Sequence, residues 1–421
     1  MKNEIIAIIG LGYVGLPLAV EFGKKIKTIG YDIDRKRIEE LKKKYDKTKE
    51  IQKKQFQLAN KLSLTSNKEN LIDATVFIIT VPTPVDNKNN PDLKLLKRAL
   101  KTTAQFLGKN SLVIIESTVY PGLTEEFCVP ILEKFSRLKY NRDFFCGYSP
   151  ERINPGDKKR TLTKIKKVVS GSNKKTTKRV NYIYKKIIKA GTYIAVSIKV
   201  AETAKVIENT QRDINIAFMN EVAIICNKLN INTNDVINTA KTKWNFLNFV
   251  PGLVGGHCIS VDPYYLFSKS KEVGYEPKII LSGRKINNQM SKYVTSELLK
   301  KIKQNMVLRR PRVLIMGVTF KEDCPDVRNS QVVKIVNILK NKNIGIHVYD
   351  DIADKELLKK EFNIRLISKP KKNYYDAVMI AVKHKSFYSL GIKKIRSMCN
   401  KKGFIYDLKY TFSGKEVEMS L

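Results

Sequence analysis

Side chains of the kinds that bind metal ions or form disulfides are few in this chain of 421 residues. Its three histidines form no HExxH motif or other ligand cluster, so the sequence predicts no metal site. Its six cysteines are scattered without a CxxC pair, which favours a reducing compartment over a disulfide framework. We therefore expect a cytoplasmic protein.

Acidic residues are also scarce, since 79 Lys and Arg stand against 40 Asp and Glu and give a net charge of +39. Such a charge is typical of nucleic-acid binding. However, lysine far outnumbers arginine, the lysines are spread in runs such as 42–44, and no nucleic-acid-binding motif accompanies them. We interpret the charge as a compositional bias of solvated faces that can steer an anionic substrate, and expect no nucleic-acid partner.

Long apolar runs are absent apart from the one between Ile5 and Phe22. Glycines and a proline interrupt that run, and Glu4 and Glu21 stand at its edges. A strand, a tight turn and a helix start explain it better than a signal peptide or a membrane span. The sequence therefore predicts no membrane partner, and its length suffices for two or three domains with buried cores.

Apolar strand patterns alternate with helical patterns through the first half of the chain, which predicts a doubly wound parallel sheet with helices on both faces. The predicted strands are Ile5–Ile9, Thr28–Tyr31, Thr75–Val81, Leu112–Glu116, Phe144–Tyr148 and Lys167–Ser170.

A different pattern follows, with apolar residues at helical spacing and no Gly or Pro over 199–230, which predicts one long helix. More helix is expected from Thr233 and over 280–305, and the segment 245–265 is rich in Gly and Pro and should be irregular.

A second set of alternating strands and helices fills the C-terminal part, and predicts a second Rossmann-like sheet without a GxGxxG motif. Its predicted elements are strands 312–319, 344–349, 377–382 and 403–406 and a helix 330–340. We predict domains at 1–198, 199–308 and 309–421: two α/β domains joined by a helical one.

A dinucleotide fingerprint stands between the first strand and the first helix. Its residues are Gly10, Gly12, Tyr13, Val14 and Gly15. The glycines let the backbone approach a pyrophosphate, and the helix N-terminus adds a partial positive charge. Asp32 ends the next strand, where it can accept hydrogen bonds from ribose hydroxyls and repel a 2′-phosphate, which favours NAD over NADP. Arg37 is a candidate to stack on the adenine.

Two loops after predicted strands are candidate walls of the cofactor site, because ligands in open α/β sheets bind outside the carboxyl ends of strands. One carries Pro82 and Thr83, and the other, 116–122, carries Thr118. In each loop these residues can equally serve only to form the turn after the strand.

The most informative motif is Gly255-Gly256-His257-Cys258. A cysteine can capture an aldehyde as a thiohemiacetal, from which a second hydride leaves to give a thioester. Together with a nicotinamide site, this pattern indicates an alcohol that is oxidised twice, to a carboxylate. A thiolate needs a cationic or hydrogen-bonding neighbour, and Lys205 is a candidate.

Three polar residues could complete this chemistry. Lys205 and Asn209 are four apart on the predicted long helix, so a cation and an amide on one face could hold an oxyanion, although a solvated pair would look the same. Asp262 can be a second acid or base, or a turn cap.

At the level of these motifs the chain resembles the UDP-glucose/GDP-mannose dehydrogenase family over essentially its whole length. SPERINPG, and WNF followed by GGHC, favour the branch that acts on UDP-N-acetylhexosamines. The matching segments are GLGYVGLPLA (10–19), VPTPVD (81–86), ESTVYPG (116–122), SPERINPGDK (149–158), TAKVIENTQRD (203–213), PGLVGGHCISVDPYY (251–265) and GVTFKEDCPDVRNS (317–330).

The resemblance implies catalytic roles. Cys258 would be the nucleophile, and Lys205 and Asn209 would stabilise oxyanions and position water. Asp262 would assist water activation or orient the lysine. Glu151 would act in thioester hydrolysis, and Thr118 would hold a water or the nicotinamide.

The resemblance also implies binding roles. Lys321, after Phe320, would contact the uridine diphosphate, and Arg328 would reach the cofactor. Lys409 stands where many family members carry an arginine that faces the substrate, so a cation is retained there. The further residues expected to line the substrate site are Glu151, Arg152, Lys205, Asn209 and Gly255.

The expected activity is therefore an NAD-dependent oxidation at C6 of UDP-GlcNAc or UDP-GalNAc, which consumes two NAD⁺ and one water and supplies a surface polysaccharide. The long helix would form the core of a homodimer or higher homo-oligomer. Three alternatives remain: a UDP-glucose 6-dehydrogenase, a single-step β-hydroxyacid dehydrogenase, and a non-catalytic nucleotide-sugar or nucleic-acid binder. A β-hydroxyacid dehydrogenase needs neither the cysteine nor a second Rossmann-like domain.

Overall fold

The computed structural model describes residues 4–154, 157, 159–256, 259–305, 310–412 and 414–421. These fall into two compact units. Unit one comprises Met1–Glu208 and Tyr264–Glu276, and unit two comprises Asn209–Pro263 and Pro277–Leu421. The domain boundaries at 198/199 and 308/309 stay a prediction.

Unit one contains an eight-stranded sheet in the order β3-β2-β1-β4-β5-β6-β7-β8. The first six positions follow the strand order of a dinucleotide-binding fold. The strands are β1 (Ile6–Ile9), β2 (Thr28–Tyr31), β3 (Leu62–Thr65), β4 (Val76–Ile79), β5 (Ser111–Ile115), β6 (Phe144–Tyr148), β7 (Lys167–Gly171) and β8 (Thr192–Ile194). The helices are α1 (Gly15–Gly23), α2 (Arg35–Lys42), α3 (Lys53–Leu58), α4 (Lys94–Ala104), α5 (Val129–Ser136) and α6 (Lys174–Lys185).

Burial on both faces explains why the strands are apolar throughout. Ala7 and Ile9 of β1 enter one apolar cluster, whereas Ile6 and Ile8 enter another on the opposite face. All four are at most 2% exposed. Removing one of these isoleucine side chains from water stabilises the fold by about 1.5–3 kcal/mol, which explains why β1 contains no polar side chain.

The direction of β7 differs from the prediction of a wholly parallel sheet. β7 runs antiparallel to β6, with Tyr148 paired to Ser170, whereas β8 is again parallel to β7. A parallel connection usually needs a crossover helix. The described residues between β6 and β7 contain only the short 3₁₀ turn Leu162–Lys164, so the chain returns beside β6 in the opposite direction.

Helices connect the two sheets in the sequence. The predicted long helix is α7 (Ile198–Lys228), and the predicted helix at 280–305 is α10 (Lys278–Asn305). The segment 245–256 is irregular as expected, but α9 already begins at Asp262. The other helices of this stretch are α8 (Thr233–Ala240) and α9 (Asp262–Glu272).

Unit two contains a five-stranded parallel sheet in the order β10-β9-β11-β12-β13. The predicted fold class, two doubly wound sheets with a helical segment, is thereby confirmed. The strands are β9 (Arg312–Met316), β10 (Gly345–Tyr349), β11 (Tyr375–Ile380), β12 (Cys399–Asp407) and β13 (Met419–Ser420). The helices are α11 (Gln331–Lys340), α12 (Lys355–Phe362), α13 (Lys385–Leu390) and α14 (Ile392–Arg396). None of the helices in the described part of the chain has the length and apolarity that crossing a bilayer requires.

Candidate active site

The glycine turn after β1 is shaped by close contacts. Gly10 has φ +96°, in the left-handed region that favours glycine. A Cβ at Gly15 would lie 1.9 Å from the Gly10 carbonyl oxygen and 2.4 Å from Thr80 Oγ1. A Cβ at Gly12 would meet no protein atom within 4 Å. Packing therefore requires glycine at the first and last positions, and leaves the middle one to be explained by a ligand that approaches the backbone.

Helix α1 begins at this turn, and no side chain caps its N-terminus. By contrast, α2 is capped by Asp34, whose Oδ1 accepts from the Arg37 amide at 3.2 Å. Uncapped N–H groups and the helix dipole favour an anion. The turn thus fits the pyrophosphate of a dinucleotide.

Asp32 lies at the carboxyl end of β2 beside the glycine turn. Its Oδ2 accepts from the Leu11 amide at 2.8 Å, and its Oδ1 accepts from the Asp34 amide at 3.0 Å. These bonds fix the carboxylate and leave further lone pairs for ribose hydroxyls. Its contact with the ribose stays a prediction.

Arg37 lies under the turn and is only 4% exposed. Its guanidinium contacts Asp46 at 2.8 Å and donates to the Leu11 carbonyl oxygen at 3.2 Å. This burial leaves little of the guanidinium plane for the predicted stacking on adenine. In the structure Arg37 holds the glycine turn through the Leu11 carbonyl oxygen, and its stacking on adenine stays a prediction.

The two predicted loop walls contact each other in unit one. Thr83 Oγ1 donates to the Thr118 carbonyl oxygen at 2.6 Å, and the Tyr265 hydroxyl donates to the Thr83 carbonyl oxygen at 2.9 Å. Tyr265, on α9, is fully buried, so it fixes the loop after β4. Pro82 is exposed beside it.

Glu202, at the start of α7, anchors the second wall. Its carboxylate accepts from the amides of Gly122 at 2.6 Å and Thr124 at 2.9 Å. Burial outweighs these hydrogen bonds and raises the pKa of Glu202 to about 7.

Glu151 lies in a buried ion network. Its Oε2 is 3.1 Å from Lys167 Nζ, which also lies 2.8 Å from Glu116 Oε2. Arg152, the next residue, pairs with Glu208 of α7 at 2.7 Å and donates to the Lys166 carbonyl oxygen at 3.0 Å. The predicted substrate contact of Arg152 would use a side chain that already holds these partners.

Unit two brings two predicted catalytic residues together. Asn209 Nδ2 donates to Asp262 Oδ2 at 2.5 Å, although 53 residues separate them in the sequence. Asp262 is 1% exposed and begins α9. Lys205, one helical turn before Asn209 on α7, is 7% exposed. His257 and Cys258 lie outside the described residues, so the nucleophilic role of Cys258 stays a prediction.

The backbone just before Cys258 is held by α7. Asn220 clamps Gly252, accepting its N–H at 2.8 Å and donating to its carbonyl oxygen at 3.0 Å. Asn287 of α10 accepts from Asn220 at 2.8 Å and donates to Asp213 at 2.7 Å. Arg284 completes this buried chain with a 2.6 Å contact to Asp213. Two long helices thereby fix the backbone at Gly252, six residues before Cys258 in the sequence.

A cleft in unit two opens at the carboxyl ends of β9, β11 and β12. The strand order reverses around β9, and such switch points are where α/β sheets bind ligands. Lys409 Nζ lies 3.8 Å from Glu322 Oε1, and Ser330 caps α11 at the cleft. The lining residues are Leu253, Thr319, Phe320, Lys321, Glu322, Ser330, Gln331, Val332, Ala381, Val382 and Lys409.

Two further residues predicted for the site, Gly255 and Arg328, differ in their surroundings. Gly255 packs tightly, since a Cβ there would lie 2.7 Å from the Asn329 carbonyl oxygen and 3.2 Å from Phe320 Cβ. Arg328 is instead paired with Asp326 at 2.7 Å, with 41% of its side chain exposed. Its predicted reach to the cofactor stays a prediction.

Comparison with known proteins decides the family. Models of the UDP-glucose/GDP-mannose dehydrogenase family match as its NAD binding domain over residues 4–188, its central domain over 199–289 and its UDP binding domain over 314–414. The chain belongs to the UDP-glucose/GDP-mannose dehydrogenase family. It is an NAD-dependent nucleotide-sugar dehydrogenase, so the predicted family, enzyme class and cofactor are confirmed.

Individual relatives resemble the chain along its full length. A UDP-N-acetyl-D-glucosamine 6-dehydrogenase of Pseudomonas aeruginosa is 50% identical over 422 residues and 100% of both chains. One of Salmonella typhi is 49% identical, covering 99% of this chain and 98% of the relative. A solved UDP-D-ManNAc dehydrogenase of Pyrococcus horikoshii superposes with a TM-score of 0.86 at 30% identity, covering 99% of this chain and 97% of that one.

Sequence reasoning missed several buried polar residues of this dehydrogenase. Lys167 begins one predicted strand and Glu116 ends another. A charged residue at the end of an otherwise apolar strand is the sequence signal that could have identified them. Nothing in the local pattern marks Glu202 or Tyr265, because each is defined by a distant partner.

The glycine turn yields a matched pair of variants. Gly15→Ala should lower the thermal stability, because its Cβ has no room and overpacking costs about 1–3 kcal/mol. Gly12→Ala should keep the melting temperature but lower the affinity for NAD⁺ about tenfold or more, since its Cβ would stand where the pyrophosphate approaches. Calorimetry for NAD⁺ binding and thermal melts check both.

Gly108→Ala is the control, because a Cβ at Gly108 also meets no atom within 4 Å and this glycine lies in the connection between α4 and β5. Wild-type NAD⁺ affinity in Gly12→Ala would contradict the placement of the pyrophosphate.

Glu202 predicts a pH dependence of stability. Its pKa is raised from 4.5 to about 7 in the folded state, so the folded chain favours the protonated form. The contribution of Glu202 to the free energy of unfolding is full below pH 4.5. It is lost as the pH rises through 7, and a pKa shift of this size corresponds to about 3 kcal/mol. Glu202→Gln removes the titration, so wild type should lose stability relative to this variant between pH 4.5 and 7. Denaturant unfolding at both pH values measures the difference, and parallel pH dependences would refute the assignment.

Proposed function

We propose that this dehydrogenase oxidises the C6 hydroxyl of a UDP-N-acetylhexosamine, with UDP-GlcNAc as the first choice, to the uronate. The observation that carries the proposal is the near-complete match to two UDP-N-acetyl-D-glucosamine 6-dehydrogenases at 50% and 49% identity. The UDP-D-ManNAc dehydrogenase is more distant, at 30%.

The cofactor site in the proposal is the β1–α1 turn with the ends of β2, β4 and β5. The open space at Gly12 and the uncapped α1 would receive the pyrophosphate, and Asp32 would accept from the ribose. Thr83 and Thr118, joined by their hydrogen bond, would stand beside the nicotinamide. A carboxylate at Asp32 supports NAD rather than NADP.

The uridine diphosphate is assigned to the cleft of unit two. Lys321 and Lys409 supply positive charge there, and the N-terminus of α11 adds its dipole. Phe320 offers an apolar face, and packs against Gly255 and Gly256 just before the nucleophile. The cleft therefore suits an anionic ligand whose sugar is delivered towards Cys258.

The proposed reaction passes through Cys258. Oxidation of the alcohol gives an aldehyde, which the Cys258 thiolate attacks to form a thiohemiacetal; loss of a second hydride gives a thioester, and water releases the acid and the thiol. Each NAD⁺ accepts one hydride from C6, so the alcohol, two NAD⁺ and one water give the carboxylate, two NADH and three protons.

The other residues would serve the oxyanions and the water. Lys205 and Asn209 would stabilise negative charge on the C6 oxygen, since a cation and an amide donor act strongly in a buried site. Asp262, hydrogen-bonded to Asn209 at 2.5 Å, would orient that amide. Glu151 would accept the proton of the hydrolytic water, and Thr118 would help to hold it.

A second copy of the chain is the proposed partner of α7 and its neighbours. Phe218 and Ile225 of α7 are 55% and 49% exposed, and Trp244 is 91% exposed. Phe218 and Ile225 are seven residues apart, so they lie on one face of α7, and an exposed apolar helix face supports a homodimer.

A cytoplasmic setting and a role in surface polysaccharide belong to the same proposal. The five described cysteines are buried and form no disulfide, which suits a reducing compartment. Because oxidation at C6 leaves the UDP group at C1, the product remains an activated donor for glycosyl transfer.

The sugar can be decided by a panel of UDP-sugars. A pocket that hydrogen-bonds the acetamido group is left with an unpaired polar group when UDP-glucose binds, which costs about 1–3 kcal/mol. We expect kcat/KM for UDP-GlcNAc to exceed that for UDP-glucose by at least about tenfold. NADH release from UDP-GlcNAc, UDP-GalNAc, UDP-ManNAc and UDP-glucose at sub-saturating concentration gives the ratios.

Equal efficiency with UDP-glucose would overturn the N-acetylhexosamine assignment in favour of a UDP-glucose 6-dehydrogenase. A preference for UDP-GalNAc or UDP-ManNAc would keep the substrate class and change the sugar.

A further inference from the structure

Four buried polar side chains of unit one form a continuous cluster. Lys167 Nζ lies 2.8 Å from Glu116 Oε2 and 3.1 Å from Glu151 Oε2, and the Tyr184 hydroxyl donates to Glu116 Oε1. Glu116 is 1%, Lys167 2%, Tyr184 0% and Glu151 8% exposed. Removing such charges from water is costly unless they are paired, so the cluster has to act as a unit.

Strand direction brings the cluster together. β7 runs antiparallel to β6, with Tyr148 opposite Ser170. Glu151 stands three residues after Tyr148, and Lys167 stands three residues before Ser170, so the register places them opposite each other. Glu116 follows the end of β5, the neighbour of β6 on its other side. All three therefore lie at the sheet edge where the carboxyl ends of β5 and β6 meet.

Both oxygens of Glu151 are held. Its Oε1 accepts from the amides of Arg152 and Ile153, each at 2.6 Å. Its Oε2 receives the Lys167 ammonium. Since Lys167 is the one side-chain contact among these three, it sets the direction in which the carboxylate can turn.

The charges keep Lys167 in its cationic form. Burial alone would lower the pKa of Lys167, but the carboxylates of Glu116 and Glu151 outweigh burial and raise it. Burial raises the pKa of Glu116 in turn. One ammonium thus serves two carboxylates, and Tyr184 supplies the hydrogen bond on the far side of Glu116.

We propose that Lys167, held by Glu116 and Tyr184, is a positioning residue that sets the orientation of the Glu151 carboxylate for its proposed task, the activation of the hydrolytic water. This inference rests on the proposed function, and specifically on the role given there to Glu151. Lys167 contacts neither substrate nor cofactor in it; it acts through Glu151. Loss of the lysine should therefore slow hydrolysis and leave both oxidations and substrate binding intact.

The test is Lys167→Met in the full-length protein with UDP-GlcNAc and NAD⁺. Misplacing a catalytic group can cost about 10- to 100-fold, so we expect kcat to fall by that factor, with KM for UDP-GlcNAc nearly unchanged. Rapid mixing should show a burst of two NADH per active site, and acid-quenched intact mass should show an acyl adduct on the protein. A purely structural lysine would produce neither the burst nor the adduct.

A second variant separates positioning from charge balance. Glu116→Gln with Lys167→Met removes one negative and one positive charge, so the net charge of the cluster is that of the wild type. The melting temperature should return towards wild type, whereas kcat should stay low and the adduct should persist. Lys269→Met is the matched control, because Lys269 also bridges two carboxylates, Glu126 at 2.5 Å and Glu272 at 2.8 Å.

Recovery of kcat in the double variant would overturn the inference, because the lysine would then only balance charge. Wild-type kcat in Lys167→Met would overturn it as well. Glu151→Gln run in parallel distinguishes the two levels: unimpaired hydrolysis in that variant would refute the role of Glu151 itself, and impaired hydrolysis there with normal Lys167 variants would refute the positioning role alone.

Discussion

Burial of parallel strands on both faces is the constraint on which the rest of this structure depends. In β1 and β9, successive residues enter apolar clusters on opposite faces of the sheet. A charge inside such a strand would be unpaired and costly, so charged groups collect where the strands end. Asp32, Glu116, Lys321 and Lys409 all follow strands, and both the glycine turn and the cleft of unit two lie at carboxyl ends. The candidate binding residues of each unit therefore lie at one edge of its sheet, where the strands have their carboxyl ends.

Much of the fold is predictable from the sequence because its signals are local. The apolar runs of β1, β4 and β5 mark buried strands, and the long helical pattern marks α7. Short strands such as β3 and β13 are not predicted from the sequence, because their residues are only partly buried and lack a continuous apolar run. The antiparallel direction of β7 is also not predictable from the sequence, because it depends on the connection from β6 and not on the residues of the strand.

The candidate site shows the same division. The glycine fingerprint and its acid can be read locally, and the structure explains them by the contacts that a Cβ would make. Lys167 meets its partners Glu116 and Glu151 across 51 and 16 residues of sequence, so only the fold reveals that cluster. The sequence also does not reveal that Arg37 pairs with Asp46 and donates to the Leu11 carbonyl oxygen, because both partners are distant in sequence. The role proposed for Glu151 comes from the family resemblance, and the structure adds the contacts that hold its carboxylate.

We propose that one active site carries out both oxidations through a thioester on Cys258. The most direct measurement is the ratio of NADH formed to UDP-sugar uronate released by the wild-type enzyme from UDP-GlcNAc, with Cys258→Ser as the comparison. We expect two NADH for each uronate and no free aldehyde. In the serine variant we expect steady-state turnover to collapse while NAD⁺ and UDP-GlcNAc still bind. One NADH for each sugar with accumulating aldehyde, or near-wild-type turnover in Cys258→Ser, would contradict the proposal.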